Sequence, residues 1–303
     1  MLAIVAGLCG GTALLLFALA ELRQAVDDLA GARLRGLLTA LAGDVPRALL
    51  TGTIVTAVLQ SSTVVSVLIV SLAGASQLGL RQALGLIYGA NIGTTVTAQL
   101  MAFPAGEWAL ILLALGLTGR RRPWGRALAS LGWLFLGLHA LEGAAMALAA
   151  TRAAAGLLAG LSDSPVLAAC AGGVAAMLFH SSSAAVGLTM ALTAKGLLDL
   201  PAAVAVVLGT NVGTCFTAQL VAMGRGYGAR RAAWGHTLYN LVGAVAASCC
   251  LSPFVRCLEA LGGSPARQLA NAHALFNLAS AAAFLPFTAL FARLLCLLAP
   301  GED

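Results

Sequence analysis

Apolar residues dominate this chain in long runs, and polar residues interrupt those runs at a few regular places. Runs of about 20 apolar residues predict membrane-spanning helices, because a helix of that length crosses a hydrocarbon core of roughly 30 Å. We interpret seven runs as crossings: 3–20, 82–101, 106–118, 128–149, 201–221, 233–252 and 269–298. The charged stretch after residue 20 has leucines at helical spacing and is expected to lie at the membrane interface.

Two further apolar runs, 46–73 and 165–194, are each divided by a polar cluster. The pieces on either side of the cluster are too short to cross the hydrocarbon core as single helices. Two short helices that meet at a polar tip form a re-entrant hairpin, which is tolerated where protein covers it or where it lines a cavity. Pro46 and Pro165 begin the two runs at matching positions, as prolines in the first turn of a helix do. We therefore predict two re-entrant helical hairpins.

The polar clusters belong to a sequence repeat whose copies lie 120 residues apart. Residues 60–100 and 180–220 align without a gap and are identical at 15 of 41 positions. The copies begin with Gln60-Ser61-Ser62-Thr63 and His180-Ser181-Ser182-Ser183, and they continue to Asn-x-Gly-Thr clusters at 91–94 and 211–214. A duplicated unit that carries polar clusters inside apolar sequence points to the binding site of a membrane transporter.

The composition indicates an integral membrane protein. Hydrophobic residues make up 60% of the chain and charged residues 9%, with a mean hydropathy of +0.95, whereas soluble domains carry about 25% charged residues. With the N-terminus outside and each hairpin returning to its own side, 13 of the 17 basic residues fall inside, as expected for cytoplasmic loops. The net charge of +6 is therefore interpreted as a topology signal and not as a nucleic-acid surface. We expect a multi-pass protein of the inner (cytoplasmic) membrane with a cytoplasmic C-terminus.

These elements predict the fold class. Each half contains three crossings and one hairpin, and an odd number of crossings makes the second half enter from the opposite face. The predicted fold is an all-α membrane protein with two inverted-topology repeats, 1–126 and 127–252, followed by one extra transmembrane helix within 253–303. The whole chain, 1–303, would form a single transport domain. The first run lacks a basic leader region and is expected to be a retained helix and not a signal peptide.

The tips of the hairpins predict sites for an anion and a small cation. The helices after Ser61-Ser62 and Ser181-Ser182 would point their N-termini at mid-membrane, where free N–H groups and the helix dipole favour an anion. Helix ends at the tips, and a helix break at Asn91 or Asn211, would present oxygens that suit a hard monovalent cation.

Several alternatives remain open from the residues alone. Small residues at helix interfaces can simply permit close packing, and Gly85, Gly89 and Gly93 have the small-x-x-x-small spacing. His180 beside Ser181 could suggest a base and a nucleophile, but adjacent residues seldom reach that geometry and no G-x-S-x-G elbow is present. We therefore do not expect an enzyme. Seven cysteines without a C-x-x-C pattern predict neither a metal site nor a disulfide.

Paired Q-S-S-[ST] and N-x-G-T units in an inverted repeat resemble the type II sodium/phosphate cotransporters and their bacterial relatives, over nearly the whole chain. The resemblance implies coupled binding of inorganic phosphate and Na⁺ between the tips, with Na⁺ as coupling ion and no other metal or cofactor. Phosphate is expected to bind Ser61, Ser62, Thr63, Ser181, Ser182 and Ser183. Sodium is expected to bind Gln60, Asn91, Thr94, Thr95, His180, Asn211 and Thr214. A supporting role beside the site, or interhelical hydrogen bonding, is expected for Gln99, Gln219, His236, Asn240, His273 and Asn277.

Two departures from the family pattern affect these expectations. His180 stands where the family has Gln, and an imidazole can carry a proton near neutral pH, so the second cation site or the pH response could differ. Many bacterial relatives append a PhoU-like domain, whereas this chain stops at residue 303. We expect any PhoU-like regulator on a separate polypeptide, and a second copy of this chain is another candidate partner. A transporter of another small anion, a phosphate exporter and a phosphate-binding sensor remain alternatives.

Overall fold

The structure, a computed structural model, describes residues 2–40, 42–103, 108–149 and 151–301. Those residues form α-helices and one short 3₁₀ turn, Leu285–Phe287, and they contain no β-strand. The prediction of an all-α fold is therefore confirmed. The helices are α1 (Leu2–Ala40), α2 (Val45–Leu59), α3 (Ser62–Gly74), α4 (Leu80–Met101), α5 (Ala109–Thr118), α6 (Pro123–Ala149), α7 (Arg152–Asp163), α8 (Pro165–Phe179), α9 (Ser182–Ala194), α10 (Leu200–Ala222), α11 (Tyr227–Cys249), α12 (Leu251–Leu261), α13 (Pro265–Phe284) and α14 (Thr288–Leu298).

Several of these helices are compatible with a membrane protein. Within the described ranges, four stretches are long and apolar enough to cross a membrane: Ala6–Ala25, Pro123–Ala144, Leu200–Ala222 and Pro265–Leu298. Two bent pairs, α7 with α8 and α11 with α12, raise the number to six if each pair counts as one span. This is fewer than the seven predicted crossings. Helix α4 has 22 residues, but its polar side chains leave it outside that group.

The predicted crossing at 106–118 differs from the structure. Helix α5 has ten residues and extends only about 15 Å, half the thickness of a hydrocarbon core. Residues 106 and 107 lie outside the described part of the chain.

Helix α1 includes both the crossing predicted at 3–20 and the charged stretch that follows it. It continues without a break through 39 residues to Ala40. Its first half packs closely against α6, where a Cβ on Gly11 would lie 3.0 Å from Leu141 and one on Gly137 would lie 3.0 Å from Leu15. The side chains of residues 29–39, which include most leucines of the charged stretch, lie outside the described residues.

Helices α2 and α4 lie side by side and run in the same direction. Gly85 of α4 faces Val45 at the start of α2, and Gly93 faces Thr53 farther along. A Cβ on Gly89 would overlap the carbonyl oxygen of Leu49, so the two backbones approach as closely as glycine permits. Only residues 75–79 connect α3 to α4. Helix α3 must therefore lead the chain back to the level at which α2 began.

The second copy repeats this arrangement with α8, α9 and α10. A Cβ on Gly209 of α10 would overlap the carbonyl oxygen of Ala169, and one on Gly213 would overlap that of Gly173. Helices α8 and α10 are thus also parallel neighbours, and α9 leads the chain back between them. At the end of α8 and α9 that lies away from their tip, Ser162 of α7 donates a hydrogen bond to Asp199, just before α10 begins (2.9 Å).

Each of the pairs α2–α3 and α8–α9 has a tip, where its two helices are joined, and an open end on the other side. The open ends of the two pairs lie at opposite ends of α10. Arg225, three residues beyond the end of α10, donates to the hydroxyl of Ser71 near the end of α3 (3.0 Å). The 23 residues of α10 span roughly 34 Å. One apolar core includes side chains of α8, α9 and α10, and a second includes side chains of α2, α3 and the start of α11. The two polar tips therefore point toward each other from opposite directions.

Candidate functional site

The two tips have the same local backbone structure. Gln60 and His180, which end α2 and α8, are both in the left-handed region, with φ of 53° and 47°. Side chains other than glycine seldom adopt this conformation, and where it persists the surrounding structure enforces it. The next residues, Ser61 and Ser181, are extended and cap α3 and α9 by accepting from the backbone N–H three residues on, each at 3.3 Å. Two helix N-termini are thereby formed at the tips.

The tips touch each other, and an arginine from α1 bridges them. The hydroxyl of Thr63 donates to the carbonyl oxygen of His180 at 3.4 Å. The Nε of Arg23 donates to the carbonyl oxygen of Gln60 at 2.8 Å, and its Nη2 lies 3.4 Å from the hydroxyl of Ser181. In the sequence, Arg23 is only one residue of the charged stretch that marks topology, because nothing local links it to a tip 37 residues away.

The remaining predicted phosphate residues occupy the first turns after the tips. Ser62 begins α3 and is half-buried. Ser182 begins α9, and Ser182 and Ser183 are both buried. All six predicted phosphate residues thus lie at the two N-termini, and Thr63 also makes the direct contact between the tips.

Each tip is held from α4 or α10 by a threonine that sequence analysis did not assign to the site. Thr97 donates to the side-chain Oε1 of Gln60 at 2.7 Å. In the second copy the hydroxyl of Thr217 lies 3.3 Å from Nδ1 of His180. In each pair the two residues are 37 positions apart in the sequence. The signal was present in the sequence, since Thr97 and Thr217 are identical residues at matching positions of the repeat.

The predicted helix breaks at Asn91 and Asn211 are wrong: α4 and α10 run through these residues without interruption. Both amides donate back to the carbonyl four residues earlier, at 2.9 Å for Asn91 and 3.1 Å for Asn211. The hydroxyls of Thr94, Thr95 and Thr214 also donate to carbonyls of their own helices, at 2.7–2.8 Å. These polar side chains are satisfied inside an intact helix, so they free no backbone carbonyl for a cation.

Asn91 also lies away from the tip, toward the N-terminus of α4. It precedes Thr97 by six residues, or roughly 9 Å along the axis of α4. The hydrogen bond to Gln60 is made by Thr97 and not by Asn91. The predicted sodium residues therefore divide into two groups, with Gln60 and His180 at the tips and the Asn and Thr residues within α4 and α10.

Gln99 and Gln219 connect their helices to different neighbours. Gln99 donates to Asn271 of α13 at 3.2 Å and accepts from Arg267. Gln219 donates to Thr237 of α11 at 2.7 Å. Both residues make interhelical hydrogen bonds, and neither contacts a tip through them.

A second buried polar cluster lies where α10, α11 and α13 meet. The Nε2 of His273 lies 3.4 Å from Oδ1 of Asn211, and Asn240 donates to the thiol of Cys215 at 3.4 Å. Four buried polar atoms in this cluster have no hydrogen-bond partner within the described part of the chain: His236 Nδ1, His273 Nδ1, Asn240 Oδ1 and Asn277 Oδ1. A buried amide oxygen without a donor is costly, so water or a cation is its natural partner. Asn240 on α11 and Asn277 on α13 thus each carry a buried amide oxygen without a donor among the described residues.

Comparison with known proteins identifies the family. A model of the Na⁺/Pi-cotransporter family matches residues 14–143 and, a second time, residues 142–251. The chain belongs to the Na⁺/Pi-cotransporter family. Each family match contains one serine tip and one Asn-x-Gly-Thr cluster. No solved structure matches the chain significantly.

Bacterial relatives cover nearly all of the chain. It is 32% identical to "Uncharacterized protein YqeW" of Bacillus subtilis over 300 residues, which are 96% of this chain and 98% of the relative. It is 30% and 31% identical to the "Putative inorganic phosphate export protein YjbB" of Salmonella typhimurium and of Escherichia coli, in each case over 94% of this chain. The chain spans 54% of the length of these two relatives.

Proposed function

We propose that this protein moves inorganic phosphate together with Na⁺ across the cytoplasmic membrane by alternating access. The observation that carries the proposal is the meeting of two serine-capped helix N-termini, at Ser61 and Ser181, in a chain of the Na⁺/Pi-cotransporter family. Such N-termini attract an anion through their free N–H groups and the helix dipole. Phosphate would be held by the serine and threonine hydroxyls of both tips.

The α2–α3 and α8–α9 pairs are interpreted as re-entrant hairpins of an inverted repeat. Their helices have 13 to 15 residues, or about 20–23 Å, which is too short to cross a core of roughly 30 Å. The open ends of the pairs lie at opposite ends of α10, which supports entry from opposite leaflets. Rocking of one half against the other would then expose the site to each side in turn.

Sodium is proposed to bind next to the tips. The Gln60 amide oxygen and the carbonyls that end α2 and α8 are oxygen ligands of the kind that hard monovalent cations prefer. Neither tip motif contains a carboxylate, so coupling does not need a proton. A bound Na⁺ would offset the charge of phosphate, and this mutual attraction would couple the two solutes.

Uptake into proteoliposomes tests the proposal. We expect radiolabelled phosphate to accumulate in response to a Na⁺ gradient and to stop when choline replaces Na⁺. Ser62→Ala with Ser182→Ala should abolish accumulation, because it removes a hydroxyl from the first turn at each tip. These serines are chosen over the caps Ser61 and Ser181, whose loss would cost helix stability.

Ser130→Ala is the matched control, since Ser130 is a buried serine whose hydroxyl bonds within α6. It should transport normally, and all variants should elute as the wild type does in gel filtration. Accumulation that is unchanged in choline would refute Na⁺ coupling. Wild-type transport by the Ser62/Ser182 double variant would refute the site.

Phosphate export is the second candidate, because the relatives from Salmonella typhimurium and Escherichia coli carry that name. Expression in cells that lack their own phosphate carriers separates the directions, since cellular phosphate rises with import and falls with export. Competition by sulfate, arsenate and carboxylates would identify another small anion as cargo. Tight phosphate binding without flux would indicate a sensor, and co-purification would reveal a PhoU-like partner or a homodimer.

A further inference from the structure

Arg23 stands outside both polar motifs but contacts both tips. Its guanidinium bonds the carbonyl that ends the first tip and the hydroxyl that caps the second, across 37 and 158 residues of sequence. The position 120 residues later, which would be its repeat counterpart, is Gly143. Within the described part of the chain, the hydrogen bonds to the two tips include one guanidinium, that of Arg23 from the first half.

Arg23 lies closer to the N-terminus of α1 than the ion pair that Asp28 makes. Asp28 is paired with Arg126 at the turn that carries the arginine tetrad 120–122 and 126. Arg23 precedes Asp28 by five residues, or about 7.5 Å of helix axis. Because side chains of a helix point toward its N-terminus, the guanidinium is carried farther from that charged level.

No carboxylate neutralises Arg23 among the described side chains. The ion pairs found there join Arg47 to Asp44, Arg126 to Asp28 and Lys195 to Glu142. The positive ends of α3 and α9 meet at the same junction, and they add to the charge of Arg23 and do not offset it. A half-buried cation with no counter-charge among the described side chains is costly, so this junction favours an anion.

We propose that Arg23 binds the transported phosphate directly, as a residue of the site supplied by α1. The inference rests on the proposed function. A guanidinium carries five N–H donors, of which two are used in the contacts to Gln60 and Ser181. The free donors form a planar fork that matches two oxygens of a tetrahedral oxyanion, which neither a lysine nor a backbone N–H can reproduce. Without phosphate, the same side chain holds the tips together.

Equilibrium binding of radiolabelled phosphate to the purified protein in saturating Na⁺ tests the inference. We expect Arg23→Gln to raise the dissociation constant for phosphate by about 10- to 100-fold, the range for a hydrogen bond to a charged group. Arg23→Lys, which keeps the charge but not the fork, should give a smaller increase. Arg47→Gln is the control, since Arg47 is exposed at the start of α2, and its phosphate affinity should equal that of the wild type.

The outcomes separate this inference from the proposed function. If Arg23→Gln binds phosphate with wild-type affinity and only its thermal stability or its transport rate changes, Arg23 merely holds the tips together and the inference is overturned. If the wild type binds no phosphate, the proposed function is overturned and the inference with it. Gel filtration restricts the comparison to folded variants.

Discussion

The close contacts of α4 with α2 and of α10 with α8 make the glycines of these helices sensitive to a single methyl group. A Cβ on Gly89 would overlap the carbonyl oxygen of Leu49 and lie 2.7 Å from the backbone nitrogen of Thr53. On Gly209 it would overlap the carbonyl oxygen of Ala169 and lie 2.9 Å from the Ala169 Cα. Backbone atoms cannot move aside as a flexible side chain can, so each alanine forces the two helices apart.

The magnitude follows from two opposing effects. Overpacking in a close-packed interior costs about 1–3 kcal/mol, while alanine in place of glycine within a helix gains roughly 0.5–1 kcal/mol. The net loss is therefore about 0–2.5 kcal/mol, and a central value of roughly 1 kcal/mol is expected for Gly89→Ala and for Gly209→Ala. Gly10→Ala in α1 meets no atom within 4 Å and should be neutral or slightly stabilising.

Thermal unfolding in detergent, followed by gel filtration, measures this contrast. We expect the apparent Tm to fall by several degrees for Gly89→Ala and Gly209→Ala and not for Gly10→Ala. Phosphate transport should fall with it, because α4 positions Thr97 against Gln60. Unchanged melting of both tight-contact variants would refute the close approach of these helices. A loss of the same size in Gly10→Ala would mean that the effect comes from replacing a helical glycine as such and not from packing between helices.

Three further outcomes are expected at the tips. Thr97→Val removes a donor from the buried Gln60 oxygen and should destabilise the protein by about 1–2 kcal/mol. Thr217→Val should cost less, because water can replace the partner of the exposed His180. Equal losses of stability in thermal unfolding would contradict this. His180→Gln restores an amide oxygen and should lower the Na⁺ concentration for half-maximal uptake several-fold, and no change in Na⁺ titration would remove His180 from the cation site.

Much of the fold could be predicted from the sequence because its determinants are local. A proline start, 15 or so apolar residues and a polar break predict a short helix, and duplication of the pattern shows that it is not accidental. The breaks fall at Gln60 and His180, between the predicted pieces of the two hairpins. The glycine spacing of α4, which sequence alone could assign either to packing or to the site, proves to serve packing against α2.

The errors have a common physical origin in hydrogen bonds that sequence does not specify. An Asn inside an apolar run can break a helix or donate to a carbonyl one turn back, and Asn91 and Asn211 do the latter. Arg23 was missed because its partners are distant in sequence, and only the tertiary fold brings them together.

The two tips share one backbone conformation but differ in environment. Gln60 is buried and His180 is exposed, although their φ angles differ by only a few degrees. After the tips the order is reversed, since Ser62 is half-buried and Ser182 is buried. The proposed alternating access of an inverted repeat requires such an asymmetry in any one conformation, because one side would be open while the other is closed. The opposite state should exchange the two environments.

Thiol labelling can detect that exchange. In a background without the seven native cysteines, His180→Cys should react quickly with a water-soluble maleimide and Gln60→Cys slowly, as their exposure predicts. Conditions that favour the opposite state, such as a reversed Na⁺ gradient with phosphate, should slow the first reaction and speed the second. Rates that keep the same order under every gradient would mean that the surroundings of positions 60 and 180 differ permanently. The tips would then be a static binding site, and alternating access between two equivalent halves would be refuted.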